Sequence, residues 1–205
     1  MTEPSYRYTA VAAILHWLTV LAIFVLIGMG WWMTRLGEPQ HDLKMALYTF
    51  HKSLGLTVLL LTVLRIFWRL THKAPPLPSH MPLIQKAAAH LLHFGLYVML
   101  LALPVSGWVF NDAVQFPLPF WGIGDLPDLY RWDDATKTAT IFGFIPIRGV
   151  FADSVQAWQG MQTAHRWLGY LLMAMIVAHV GAALKHTFVD KDNLLLRMVP
   201  RFGGD

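Results

Sequence analysis

The sequence predicts an all-α integral membrane protein, a four-helix bundle in one domain over residues 1–205. Composition is the first reason: 56% of the residues are hydrophobic and 14% charged, outside the ordinary range of soluble chains. Length is the second, because the stretches 10–33, 46–68, 87–110 and 158–184 are each long and apolar enough to cross a bilayer. The third is that the remaining charges are sorted by segment, which gives the bundle a direction.

The run at 10–33 is too long for the apolar region of a signal peptide, and no small-residue cleavage pattern follows it. It is expected to remain as the first helix. After the second run, "KAPPLPSHMP" at 73–82 cannot continue a helix, so the spans at 46–68 and 87–110 are separate elements. Residues 111–157 form a longer connection in which "FPLPFWGIGDLPDLY" and "IFGFIPIRG" are too apolar for a free linker. They are expected on the rim of the bundle, with Trp and Tyr at the membrane interface; no periodicity predicts their shape. The run at 158–184 completes the bundle.

Between the second and third runs stand Arg65, Arg69, Lys73 and Lys86 with no acid, and the tail carries Lys185, Lys191, Arg197 and Arg201. The 111–157 connection sets Asp112, Asp125, Asp128, Asp133, Asp134 and Asp153 against Arg131, Lys137 and Arg148. By the positive-inside rule both termini and the middle connection are cytoplasmic. The other two connections face outward, which in a Gram-negative source is the periplasm of an inner-membrane protein. Basic clusters that flank spans point to membrane lipid as their partner and not to nucleic acid. The absence of Cys excludes disulfides, iron–sulfur clusters, thiolate metal sites and covalently attached haem, so any metal relies on His, Met or carboxylate ligands.

Two copies of one pattern, "HKSLG" at 51–55 and "HRWLG" at 165–169, open the second and fourth spans. With the N-terminus inside, these spans run parallel, so His51 and His165 lie at one level near the outer face. Gly55 and Gly169 each sit one turn below a histidine on the same face and leave room for a flat body. Ordinary helix packing is the other reading of these glycines. His179 follows His165 by fourteen residues, a rise of about 21 Å with a return to nearly the same azimuth. His16, near the start of the first span, shares the inner level with His179.

Two imidazole pairs on facing helices, outer His51 with His165 and inner His16 with His179, suit bis-histidine haem. Zinc or copper would want further ligands nearby. Stacked at two levels, two haems would form an electron path through the bilayer. Lys52, Arg166 and Arg65 stand where haem propionates would need cations; for Lys52 and Arg166, snorkelling to headgroups remains an equal reading. His93 is the rival of His179 as partner of His16. His90, His93 and His186 gather at the inner mouth, either as interfacial residues or as donors to the carbonyl oxygens of a quinone.

"ILHWL" at 14–18, "HKSLGLTVLLLTVLRIFWRL" at 51–70, "HRWLGY" at 165–170, "AHVGAALKH" at 178–186 and "DNLLLRMVP" at 192–200 resemble the bacterial cytochrome b561 family, within it the superoxide oxidase type. The resemblance covers all four spans and the tail. It implies an inner-membrane protein with two haems b on the same four histidines, which oxidises superoxide to oxygen at the periplasmic face and reduces ubiquinone from the pool. Other members of the family pass electrons between quinol and a periplasmic redox protein. The 111–157 segment departs from the compact superoxide oxidase pattern.

Overall fold

The computed structural model describes residues 7–133, 135–136, 138–147, 154–192 and 194–200. Asp134, Lys137, Arg148, Asp153 and Arg201, which entered the charge pattern, lie outside the described residues. The four expected spans are helices: α1 (Ala10–Met33), α2 (His41–Thr71), α3 (Leu83–Asp112) and α4 (Ser154–Lys185). All four are long and apolar enough to cross a membrane.

α1 ends where its apolar run ends, whereas α2, α3 and α4 run several residues beyond theirs. The 31 residues of α2 span about 46 Å, against a hydrocarbon core of about 30 Å. Apolar windows stop at the edge of the hydrocarbon, but a helix continues into polar surroundings because its hydrogen bonds are internal. Thr9 caps α1, its hydroxyl accepting the Ala12 N–H at 3.3 Å. α2 stops at the Pro-rich break, and α3 begins directly after Pro82.

α1 packs on α2, α2 on α3 and α3 on α4. The apolar cluster of Ala22, Ile23, Val58, Leu100 and Leu172 fills mid-bundle. Val58 lies seven residues after His51 and seven before Arg65, and Leu172 halves the His165–His179 interval in the same way. The core therefore separates two polar levels, one near each end of the bundle. Buried Thr19 and Thr62 donate to the carbonyls of Leu15 and Val58, so neither hydroxyl is left unpaired in the apolar interior.

The connection between α3 and α4 holds an element the sequence did not predict. β1 (Tyr130–Asp133), β2 (Thr138–Ile141) and β3 (Ile145–Ile147) form an antiparallel sheet in that order, with Tyr130 opposite Ile141 and Ala139 opposite Ile147. Phe142 and Gly143, with φ of 54° and 74°, turn the β2–β3 hairpin. Asp112, buried at the end of α3, ties the sheet down by accepting the N–H groups of Leu129 at 2.7 Å and Tyr130 at 3.2 Å. A strap before the sheet grips α2: Ser53 donates to Pro119 O and accepts from Trp121 N, and the Trp121 indole donates to Thr57.

At the opposite end, Trp17 donates to Met198 O at 2.7 Å, Trp68 to Thr9 Oγ1 at 2.9 Å and Arg197 to Pro76 O at 2.8 Å. These bonds draw both terminal segments and the α2–α3 connection together.

Candidate functional site

His51 is the eleventh residue of α2 and His165 the twelfth of α4, so each lies about 15 Å along its helix. Their rings face each other with centroids 6.5 Å apart. Toward the other end, the rings of His16 on α1 and His179 on α4 are 6.4 Å apart. A metal sits about 2 Å from the imidazole nitrogen that ligates it, so trans ligands on one ion place their ring centroids roughly 6 Å apart. Both pairs meet that separation. The ring of His93 lies 5.1 Å from that of His179, so it joins the same level.

α2 with α4, and α1 with α4, carry the facing rings, and neither pair is among the closely packed helices. The space between them is lined by open glycine faces. A Cβ added at Gly55 or Gly169, one turn along from His51 and His165, would meet nothing within 4 Å. The buried nitrogens His51 Nδ1 and Trp108 Nε1 have no hydrogen-bond partner among the described residues. Paired imidazoles, unpacked helix faces and unpartnered buried nitrogens fit a flat macrocycle carrying iron.

α3 supplies a support that the sequence reading missed. His165 Nδ1 lies 3.1 Å from Leu103 O and 2.9 Å from Ser106 Oγ. A carbonyl only accepts, so Nδ1 carries the hydrogen and Nε2 keeps the lone pair that a metal needs. Gly107 gives the ring its room, since a Cβ there would stand 3.2 Å from His165 Cε1. At Gly30 a Cβ would make only an ordinary contact with His51 Cε1, at 3.6 Å. The one sequence signal was "PVSG" at 104–107, a proline with small residues inside an apolar run.

The cations behave differently from one another. Arg65 is half-buried at the second ring pair, where its guanidinium donates to His16 Nδ1 at 3.2 Å and lies over the Tyr97 ring. Lys52 is turned to the strap, donating to Pro117 O at 3.3 Å with its ammonium over Phe116. Arg166 is exposed.

His90 is exposed near the start of α3. His93 donates from Nδ1 to Ala89 O at 2.6 Å, which leaves its Nε2 without the hydrogen. His186 stands apart from both: its Nδ1 faces Asp192 at 2.8 Å and Asp190 at 3.1 Å. The structure thus brings His16, His179, His93 and Arg65 together at one level and His51 and His165 at the other. Lys52 and Arg166 stay at the rim of the second group.

The model of prokaryotic cytochrome b561 matches residues 7–201. Cytochrome b561 homolog 2 of Escherichia coli is 28% identical over 205 residues, covering 100% of this chain and 97% of that protein. Cytochrome b561 homolog 1 of the same organism is 26% identical over 199 residues, covering 95% and 98%. A protein of Yersinia pestis named probable superoxide oxidase CybB is 27% identical over 205 residues, covering 97% and 98%. With four membrane-spanning helices and paired histidines between them, the chain belongs to the prokaryotic cytochrome b561 family of haem-binding membrane oxidoreductases.

Proposed function

We propose that this chain is a di-haem b oxidoreductase that takes electrons from superoxide at its outer face and delivers them to ubiquinone, with both termini in the cytoplasm. The observation that carries the reading is the pair of imidazole couples, 6.5 Å and 6.4 Å between centroids, fourteen residues apart along α4. His51 and His165 hold one haem and His16 and His179 the other; bound haem supplies one-electron chemistry, cycling between ferric and ferrous iron. The balance is simple. Two superoxide anions each lose one electron to leave two molecules of oxygen, and one ubiquinone takes both electrons and two protons to become ubiquinol.

The chain's own groups set the conditions. Gly55 and Gly169 leave the planar space, and Leu103 and Ser106 hold the His165 tautomer. Arg65 would leave His16 Nδ1, to which it donates here, and turn its guanidinium to a propionate at the inner level, freeing His16 to carry its hydrogen on Nδ1 and ligate through Nε2. Lys52 and Arg166 supply positive charge at the outer rim, where an anion arrives. His90, near the inner level, is the donor offered to a quinone carbonyl; His93, whose Nδ1–H goes to Ala89 O, keeps only an Nε2 acceptor while neutral. His186, whose Nδ1 faces two carboxylates, offers Nε2 to a quinone only as an acceptor while neutral.

Purified protein is tested by stopped-flow reduction with superoxide, with and without ubiquinone. Rapid haem reduction, with reoxidation only when quinone is present, is expected; inert haems in a fully loaded protein would remove superoxide as the donor. The inner pairing is tested by His179→Ala, which should perturb the inner low-spin spectrum while His93→Ala leaves it intact. The reverse result would make His93 the ligand.

A second reading rests on the sheet, whose hairpin exposes Phe142 at 60% and Phe144 at 74%. Such a surface suits a periplasmic redox protein as the electron partner, with the chain as its quinone-linked transmembrane subunit. Reduction by superoxide without any added protein separates the two.

A further inference from the structure

The last turn of α4 gives way to a π-turn at His186–Asp190, which ends at Lys191 in the left-handed region with φ of 56°. The Asp192 N–H bonds back to His186 O at 3.2 Å, closing the helix with a left-handed residue as a C-cap does. The effect of the turn is to bring three ligand-type side chains toward one point. His186 Nδ1, a carboxylate oxygen of Asp190 and one of Asp192 all lie within 4.8 Å of one another. The His186 and Asp192 side chains are shielded, 14% and 5% exposed, while Asp190 reaches the surface with its side chain 27% exposed.

Hydrogen bonding leaves this cluster over-supplied with acceptors. Oδ2 of Asp192 is 2.8 Å and Oδ2 of Asp190 is 3.1 Å from the same nitrogen, Nδ1 of His186. That nitrogen carries at most one hydrogen, and one hydrogen makes one strong, linear bond. Asp190 also receives the Lys185 ammonium, and the other oxygen of Asp192 accepts the Leu194 N–H at 3.4 Å. Two carboxylates thus share one ammonium and one imidazole nitrogen.

The same distances are those of a coordination sphere. Two ligands about 2.1 Å from a metal and at right angles to it are about 3.0 Å apart, which brackets the observed 2.8 Å and 3.1 Å. One imidazole and two carboxylates form a mixed nitrogen and oxygen set suited to divalent first-row cations. The three groups line a cavity of about 340 Å³, whose wall is completed by His80, Met81 and Pro82 of the α2–α3 connection and by Gln85 at the start of α3. It gives an ion a way in and leaves open positions for water or His80.

We propose that His186, Asp190 and Asp192 form a binding site for a divalent transition-metal cation, separate from the four paired histidines. Lys185 is the built-in competitor. Its ammonium occupies the Asp190 oxygen that the ion would take, so metal and Lys185 exclude each other there. The inference does not depend on the identity of the electron donor or acceptor.

The test uses tag-free, haem-saturated protein in detergent, so that His16, His51, His165 and His179 are not free to bind added metal. Equilibrium dialysis against Zn²⁺, read by metal analysis, is expected to give one ion per chain. Loss of a ligand in His186→Ala or Asp192→Asn should weaken it at least about tenfold. Lys185→Ala should instead tighten it, and because that substitution removes no ligand its sign separates competition from damage. The haem spectrum of each variant checks the fold. Zn²⁺ stoichiometry and affinity unchanged in the first two variants, or no binding by wild type and Lys185→Ala alike, would overturn the site and leave an ion-pair cluster.

Discussion

Gly107→Ala should weaken haem binding at the end of the bundle that carries the sheet, and only there. A Cβ at this position would stand 3.2 Å from His165 Cε1 and 3.4 Å from Nδ1. The ring cannot slide aside freely, because Leu103 O and Ser106 Oγ, from the same helix as Gly107, hold its Nδ1. Forcing an extra methyl into such a contact costs about 1–3 kcal/mol. Taken wholly from ligation by His165, that is roughly a 5- to 150-fold loss in affinity for one haem. Gly55→Ala is the companion variant. Its Cβ meets nothing within 4 Å in the polypeptide, and alanine in a helix interior is favoured over glycine by about 1 kcal/mol. The chain itself should therefore be no less stable, and any loss of haem from Gly55→Ala reports a group occupying the space beside that glycine. Haem content per chain, reduced-minus-oxidised spectra and titration of haem into the apoprotein measure both effects. If both variants keep wild-type haem content and affinity, the open glycine faces and the placement of His165 have nothing to do with the cofactor.

Replacing either outer histidine, His51→Ala or His165→Ala, should remove one haem and leave the spectrum of the other intact; full haem content in either variant would break the outer pairing. Ser106→Ala should raise the midpoint potential of the outer haem by about 20–60 mV, the one-electron equivalent of a neutral hydrogen bond worth 0.5–1.5 kcal/mol. The cause is that a ligand whose Nδ1–H loses an acceptor becomes a poorer electron donor. Redox titration with unchanged haem content reads it, and a potential that stays put or falls would show that Ser106 does not tune the ligand. For superoxide, exposed Arg166 should matter more than Lys52, which is held by Pro117 O and Phe116. Arg166→Gln should lower the bimolecular rate of haem reduction and flatten its salt dependence, with a smaller effect from Lys52→Gln; equal or absent effects would refute steering by the free cation.

Amino-acid order alone carries the class of protein, the number and order of the helices, and the grouping of four histidines at two levels. Those properties are written in local terms: an apolar run is long enough for a bilayer or it is not, and fourteen residues return to one face of any α-helix. Position, though, is not contact. That His165 would be held by Leu103 and Ser106, about sixty residues upstream, depends on how α3 and α4 pack, and no periodicity in either helix encodes the other. The same holds for Lys52 and Arg166, which occupy matching places in "HKSLG" and "HRWLG" yet end in different surroundings. The strap that takes up Lys52 belongs to the segment between α3 and α4. Its sheet was illegible because strands of three and four residues give alternation too little length to register, and their burial comes from Asp112 and a small local cluster. At His186 the local pattern misled in a different way. Its place in the chain set it beside His90 and His93 at the inner mouth, whereas the π-turn that begins there brings Asp190 and Asp192 to its ring, and where the α-helix gives way is settled by packing and not by local spacing.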